Sequence, residues 1–170
     1  ETRTHVYKGS FSKARQKLKY EVFVELNDLM LSYYYKNFSV KTWKGLNLLA
    51  VDGTTITVPD EKPIKEEFGV WKPKKGGECL KARASQMFDV LNEIFLDTQL
   101  RPKSYGEREL AAFHFLKLTP DDLVLLGRGY PSYWFFNLIL SMGSSFCARV
   151  SENQWNAVKE FELTGNKQGI

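Results

Sequence analysis

The feature that most constrains the fold is a short run, Leu123 to Leu126, in which every residue is apolar. A strand that is apolar at every position is typical of a central strand, buried on both faces, in an α/β sheet. Gly-Arg-Gly-Tyr follows at 127–130, and then comes Pro131, a residue that suits the start of a helix. The sequence therefore predicts a strand, a tight turn and a helix, the arrangement in which α/β proteins place functional side chains. Gly127, at the strand's end, has no side chain.

The segments before this strand predict further β structure. An apolar run from Leu46 to Val51 is followed by Asp52-Gly53, and Ile56 and Val58 then alternate with polar residues. This pattern predicts a β-hairpin with Asp-Gly at the bend, so Asp52 would lie at the end of the first strand. Residues 84–97 predict either one long strand or two paired strands that bend at Asn92-Glu93.

The order of the elements predicts the fold class. The remaining predicted elements are a helix at about 12–36, a helix at about 105–118 opened by a Ser104–Glu107 capping box, a helix from Pro131 to Met142 capped by Gly143, and a strand at 145–150. Hairpin strands followed by alternating helices and strands predict an α/β, ribonuclease-H-like fold with a mixed sheet. In that fold Val51-Asp52 should lie beside Leu126-Gly127.

Composition limits the class of protein. The 170 residues are 43% hydrophobic and 26% charged, which is typical of a globular domain with its own core. Two cysteines, Cys79 and Cys147, and two histidines form no ligand cluster, so we expect no zinc site and a reduced, cytoplasmic chain. The longest apolar run is too short to cross a bilayer, so no membrane partner is expected. The net charge of +4 is compatible with a polyanionic partner.

An irregular segment at 59–81, which prolines and glycines interrupt, contains a group of basic residues beside Trp71. Together with Arg128, the cations predicted to contact a nucleic-acid backbone are Lys72, Lys74, Lys75, Lys81 and Arg83. An ordinary solvated loop remains an open alternative for this segment. For Arg128, an ion pair with Asp52 is an equally open alternative.

Four stretches, in this order and covering about residues 10–150, resemble the DDE-type transposases of bacterial insertion sequences, in particular the insertion-sequence-four group. They are "SFSKARQKL", "LLAVDGTTITVPD", "ARASQMFDVLNEIFLDTQL" with "GEREL", and "LVLLGRGYPSYWFFNLILSMGSSFCARV". In this family three carboxylates hold two divalent metal ions, Mg²⁺ or Mn²⁺, which drive strand nicking and strand transfer on double-stranded DNA. The resemblance implies that Asp52 is the first catalytic acid and metal ligand. It also implies that Gly127 stands where the family has its second acid, an aspartate.

The third acid of the family is a glutamate within a Tyr-x2-Arg-x3-Glu-x6-Lys pattern. Tyr105-x2-Arg108 begins such a pattern, but position 112 is alanine. The later glutamates, Glu152, Glu160 and Glu162, lack the flanking Tyr and Arg. The resemblance therefore implies a fold that is incomplete at its C-terminus and lacks the third acid.

These observations predict an N-terminal helical segment at 1–44 and a ribonuclease-H-like core at 45–170 that lacks the family's C-terminal insertion and glutamate helix. Because one carboxylate cannot hold two hard cations, we expect no bound metal and no DNA cleavage by this chain. DNA contact is expected to persist, and a homodimer that covers exposed apolar surface is an open alternative. A module that keeps the fold but binds DNA or protein without catalysis is the alternative function.

Overall fold

The computed structural model describes residues 7–73, 76–151 and 155–166. In these ranges the helices are α1 (Lys8–Arg15), α2 (Glu21–Asn37), α3 (Lys62–Phe68), α4 (Glu107–His114), α5 (Tyr133–Ser141) and α6 (Asn156–Leu163). The strands are β1 (Asn47–Thr57), β2 (Lys81–Asp89), β3 (Ile94–Pro102), β4 (Asp122–Leu126) and β5 (Ser145–Ala148). Among these helices none combines the length and the apolar character needed to cross a bilayer.

The chain divides into two compact units, Glu1–Val40 and Lys41–Ile170. The first contains α1 and α2, neither of which has a buried residue. The prediction of one helix over about 12–36 is wrong, because a turn at residues 16–20 separates the two. Lys13 and Lys17, and likewise Arg15 and Lys19, are like charges four residues apart, which destabilises a continuous helix across that point.

The second unit contains one five-stranded sheet in the order β3-β2-β1-β4-β5. β2 runs antiparallel to β1 and β3, whereas β4 runs parallel to both β1 and β5. This order and these strand directions are those of the ribonuclease-H-like fold, so the predicted fold class is confirmed. The predicted neighbours are also confirmed, because Val51 of β1 is the register partner of Leu126 of β4.

The core lies on one face of the sheet. Because β3, β4 and β5 run in the same direction, right-handed crossovers place α4 and α5 on the same side. The buried cluster joins apolar residues of β1, β2 and β4 to residues of α4, the following 3₁₀ turn and α5, and its members are Leu49, Val51, Met87, Ala111, Phe115, Val124, Leu126, Tyr130, Phe135 and Ile139. β4 is central as predicted, but Leu123 and Leu125 on its other face are only half-buried, so burial on both faces is wrong.

The predicted hairpin at Asp52-Gly53 is wrong. β1 continues without a turn, and its residues Thr54 to Thr57 remain paired with β2. β-Branched residues dominate this second half, which favours a continuous strand over a bend. The hairpin at Asn92-Glu93 is confirmed, since it joins β2 to β3 and Glu93 has a φ of 56°.

Three smaller predictions also need correction. The Ser104–Glu107 capping box is wrong, because α4 is preceded by Gly106, whose N–H donates to the Glu109 carboxylate at 2.7 Å. α5 begins at Tyr133 after Ser132, so Pro131 lies before the helix rather than in its first turn. The irregular segment at 59–81 contains the short helix α3, which Gly69 ends at a φ of 69°.

Candidate functional site

Asp52 and Gly127 lie next to each other at the point where β1 and β4 part. Val51 and Leu126 form the last register pair of the two parallel strands, and Asp52 and Gly127 are the residues that follow. Because side chains alternate along a strand, Asp52 faces away from the core that Val51 enters. Gly127 directly follows the end of β4 and is exposed, so a carboxylate at this position would lie at the strand end beside the strand that carries Asp52.

The backbone at Gly127 does not require glycine. A Cβ at this position would meet no heavy atom within 4 Å, and the φ of Gly127 lies outside the positive region that favours glycine. Gly143 is a contrasting case, with a φ of 78° and a Cβ position 3.4 Å from Pro120. The local structure at Gly127 thus accepts any L-residue, including aspartate.

Asp52 is exposed, and its Oδ1 accepts a hydrogen bond from the Gly53 N–H at 2.9 Å. It lines a depression of ≈250 Å³ on the face opposite the core, together with Thr54, Ile56 and Gln86. The other lining side chains offer no carboxylate. Within the described ranges no group of three or more His, Cys, Asp or Glu residues is placed to hold a metal ion. The residues present do not fit a pair of hard cations, which needs several oxygen ligands for each ion.

A second polar cluster lies directly behind Asp52, on the core side of β1. A Cβ at Gly53 would lie 3.4 Å from both the Tyr130 Oη and the Glu107 Cγ, so glycine allows this close approach. Arg83 of β2 pairs with Glu107 at 2.9 Å. Sequence reasoning missed Glu107 and Tyr130 as neighbours of Asp52, because no local pattern reports contacts across three elements.

Tyr130 is 2% exposed, and its hydroxyl has no hydrogen-bond partner among the described residues. Burial raises the pKa of Tyr130 strongly, and the nearby carboxylates Asp52 and Glu107 raise it further, against an opposing effect of Arg83. The hydroxyl therefore stays protonated over the physiological range. It is a neutral donor held beside two carboxylates.

Arg108 fixes the turn that follows β4. Its Nε donates to the Gly129 carbonyl at 3.0 Å and its Nη2 to the Pro131 carbonyl at 3.3 Å. Arg108 also lines a depression of ≈450 Å³ with Arg83, Glu107 and Trp134. Trp134 is 49% exposed at this depression, whereas its neighbour Phe135 is fully buried.

The predicted DNA-binding cations occupy different environments. Lys72 pairs with the exposed Glu78, which raises the pKa of Lys72, and Lys81 lies over the Trp71 ring at 5.1 Å. Arg128 is exposed, and no ion pair within the described residues joins it to Asp52. Lys74 and Lys75 lie outside the described residues, as does Glu152. The other two glutamates that were considered for the third acid, Glu160 and Glu162, are exposed on α6.

A buried Ser-His-Asp network lies between β2, β3 and α4, on the opposite face of the sheet from Asp52. His114 Nδ1 lies 2.7 Å from Asp97 Oδ2, and His114 Nε2 lies 3.0 Å from Ser85 Oγ. This connectivity is that of a hydrolase triad. However, Ser85 and His114 are 1% and 0% exposed, so no substrate reaches them. These three residues form a buried polar network in which each side chain has a hydrogen-bond partner.

Asp97 is the charged centre of this network. Burial opposes ionisation of Asp97, but hydrogen bonds from His114, Gln99 and Lys117 outweigh it and hold the pKa of that carboxyl well below its usual range. Because Asp97 shares the core side of the sheet with Met87, its register partner, it lies on the opposite face from Asp52. Asp97 therefore does not serve as a second acid for Asp52.

No family model matches the chain. The sequence is similar to a cysteine–tRNA ligase of Lachnoclostridium phytofermentans, with 26% identity over 141 residues, covering 75% of this chain and 29% of the ligase. The chain thus spans less than a third of the length of that relative.

Proposed function

We propose that this chain is a catalytic-domain portion of a DDE-type transposase in which Asp52 is the first acid and Gly127 stands at the second acid position. The observation that carries the proposal is the Val51–Leu126 register pair, after which Asp52 and Gly127 are the next residues of two adjacent strands. The proposed activity of the intact protein is DNA transposition by metal-dependent nicking and strand transfer, in the cytoplasm. The ligase's activity is not part of the proposal, because the aligned stretch is 29% of that protein.

As it stands, the chain does not transfer phosphoryl groups under this proposal. A divalent cation that positions water and stabilises a leaving oxygen needs more than one carboxylate. Asp52 alone supplies one, and its Oδ1 already accepts the Gly53 N–H. What remains is contact with DNA, and the alternative function is a non-catalytic binding module that keeps this fold. A cluster of cations on β2 and β3, described below, favours DNA as the partner in either case.

The experiment that tests the proposal restores the second acid. Gly127→Asp should bind Mn²⁺ at least about tenfold more tightly than the wild-type chain, because two adjacent carboxylates then share one cation. Isothermal titration calorimetry with MnCl₂ measures the affinity. The matched control is the double variant Asp52→Asn with Gly127→Asp, which should bind no better than wild type. Equal affinity of Gly127→Asp and the double variant would contradict the assignment of Asp52.

A further inference from the structure

Four cations lie together on the adjacent ends of β2 and β3. Arg83 and Arg101 are direct register partners across the antiparallel pair, so their side chains share one face. Lys81 and Lys103 flank the next register pair, Ala82 with Pro102. We call these four residues, Lys81, Arg83, Arg101 and Lys103, the hairpin cluster.

The charges of the hairpin cluster are close enough to act on one another. The pKa of Lys103 is lowered, first by burial and then by Arg83 and Lys81, with Glu107 opposing. Glu107 neutralises part of the charge through its pair with Arg83 at 2.9 Å. In the described part of the chain no ion pair engages Lys81, Arg101 or Lys103. The cluster thus keeps a surplus of positive charge.

This arrangement has a cost for the folded chain. Like charges directly opposite each other on antiparallel strands destabilise a sheet, and Arg83 and Arg101 are such a pair. β3 is also an edge strand, so Arg101 is exposed there without a further strand beside it. A ligand that carries several negative charges would remove the repulsion on binding.

The cluster lies beside the second half of β1, the strand that also carries Asp52. Thr55 and Thr57, further along β1, are the register partners of Arg83 and Lys81. At about 3.3 Å per strand residue, Thr55 and Thr57 lie roughly 10 to 17 Å beyond Asp52. Because side chains alternate along a strand, Arg83 and Lys81 face the same side of the sheet as Val51 and Met87, whereas Asp52 faces the other side. The cluster is therefore a separate anion site, on the opposite face from Asp52.

We propose that the hairpin cluster binds the phosphate backbone of DNA, without reading its sequence. The exposed Arg101 offers a guanidinium fork that matches phosphate oxygens in a bidentate manner, and the two lysines add charge without directional demand. Arg83, which pairs with Glu107, adds to the positive potential. This inference deepens the proposed function, on which it rests for the choice of polyanion. Sequence reasoning found Lys81 and Arg83 but missed Arg101 and Lys103, because only the register of β2 with β3 brings these two beside them.

The first test compares two double variants that each remove two positive charges. Arg101→Gln with Lys103→Gln removes half of the cluster. Lys62→Gln with Lys65→Gln is the matched control, since these exposed lysines on α3 pair with Glu66 and Asp60. Fluorescence anisotropy with a short, mixed-sequence DNA duplex over a series of NaCl concentrations gives both the affinity and its salt dependence.

The cluster variant should lose about tenfold or more in affinity at 0.1 M salt, and its slope of log affinity against log salt should fall by about 2, because each lost phosphate contact forfeits about one released counterion. The control should keep the wild-type slope. Equal losses of DNA affinity in both variants would mean that only the net charge of the protein matters, and would overturn the proposal. An unchanged slope in the cluster variant, or wild-type binding to heparin but not to DNA, would overturn it as well.

A second variant separates binding from folding. Arg101→Glu creates an opposite-charge pair with Arg83, so it should raise the melting temperature. The same variant should weaken DNA binding, because it removes at least one contact with a phosphate. A purely structural role for Arg101 predicts no loss of DNA affinity in this variant, and that result would overturn the proposal. The Mn²⁺ titration of Gly127→Asp does not involve the cluster, so failure of the cluster leaves that test of the proposed function intact.

Discussion

Asp52 and Gly127 are each the first residue past the register pair formed by Val51 and Leu126, and both are exposed. A parallel pair of strands therefore ends in one carboxylate and one glycine at the same level. The backbone does not require glycine at position 127, because its φ lies outside the positive region that favours glycine and a Cβ there would meet no heavy atom within 4 Å. The two positions therefore differ in their side chains and not in a backbone requirement for glycine.

This freedom predicts the effect of alanine at two glycines. Gly127→Ala should leave the free energy of unfolding unchanged or raise it by up to about 1 kcal/mol, since it lowers the entropy of the unfolded chain without strain. Gly143→Ala should lower it by about 1 kcal/mol or more, because its φ is 78° and Pro120 lies 3.4 Å from the Cβ position. Urea unfolding of both variants measures the contrast. Destabilisation by Gly127→Ala would show that the backbone there does need glycine.

Tyr130 presents a buried hydroxyl that has no hydrogen-bond partner in the described part of the chain. Tyr130→Phe should therefore leave the free energy of unfolding unchanged or raise it by up to about 1 kcal/mol, because no hydrogen bond is lost and an unsatisfied polar atom is removed. Tyr130→Ala, the control for ring packing, should lower it by about 3 to 5 kcal/mol. Chemical denaturation monitored by circular dichroism distinguishes the two. A loss of more than about 1 kcal/mol in Tyr130→Phe would indicate a hydrogen bond to the Oη.

The buried network around Asp97 predicts an acid-dependent stability. The pKa of Asp97 is lower in the folded chain than the ordinary value of 3.8, so the unfolded chain takes up this proton first as the pH falls. The stability that ionised Asp97 contributes is present at neutral pH and is lost progressively below about pH 5. Asp97→Asn should be destabilised at pH 7 and should show a shallower loss of stability in acid. Thermal melts from pH 7 to pH 3 measure both slopes, and parallel curves would contradict the account.

Arg108 and Arg128 allow a matched pair of arginine variants. Arg108→Ala removes two hydrogen bonds to the carbonyls of Gly129 and Pro131 and should lower the free energy of unfolding by about 1 to 3 kcal/mol. Arg128→Ala, on the same turn but exposed, should change it by less than about 0.5 kcal/mol. Hydrogen exchange should also become faster at residues 127–131 in the first variant alone. Equal behaviour of the two variants would mean that Arg108 does not brace the turn.

The sequence predicted the two strands that carry this site better than the side chains that lie around it. The apolar run at 123–126 and the order of the elements were enough to predict that Val51 and Leu126 are neighbours, because parallel α/β topologies are few. Asp52-Gly53 was misread as a bend, since the dipeptide that favours hairpins also occurs where a strand must admit a close neighbour. Here that neighbour is Tyr130, whose approach no local pattern announces.

The cations of the hairpin cluster were likewise predicted only in part from the sequence. Lys81 and Arg83 were evident as basic residues near an aromatic, but Arg101 and Lys103 lie about twenty residues away and join them only through strand register. Glu107 was predicted to cap a helix and instead pairs with Arg83. Side chains that meet across three elements depend on exact register and on helix placement, which periodicity does not determine.

The most direct test of the central claim is a crystal structure of Gly127→Asp grown with MnCl₂ and measured for anomalous scattering. The account predicts a manganese peak coordinated by Asp52 and by the introduced carboxylate, on the face away from the core. The same variant with Asp52→Asn should show no such peak. A Gly127→Asp structure with no peak between the two side chains, or with manganese bound elsewhere, would contradict the claim that Gly127 occupies the second acid position.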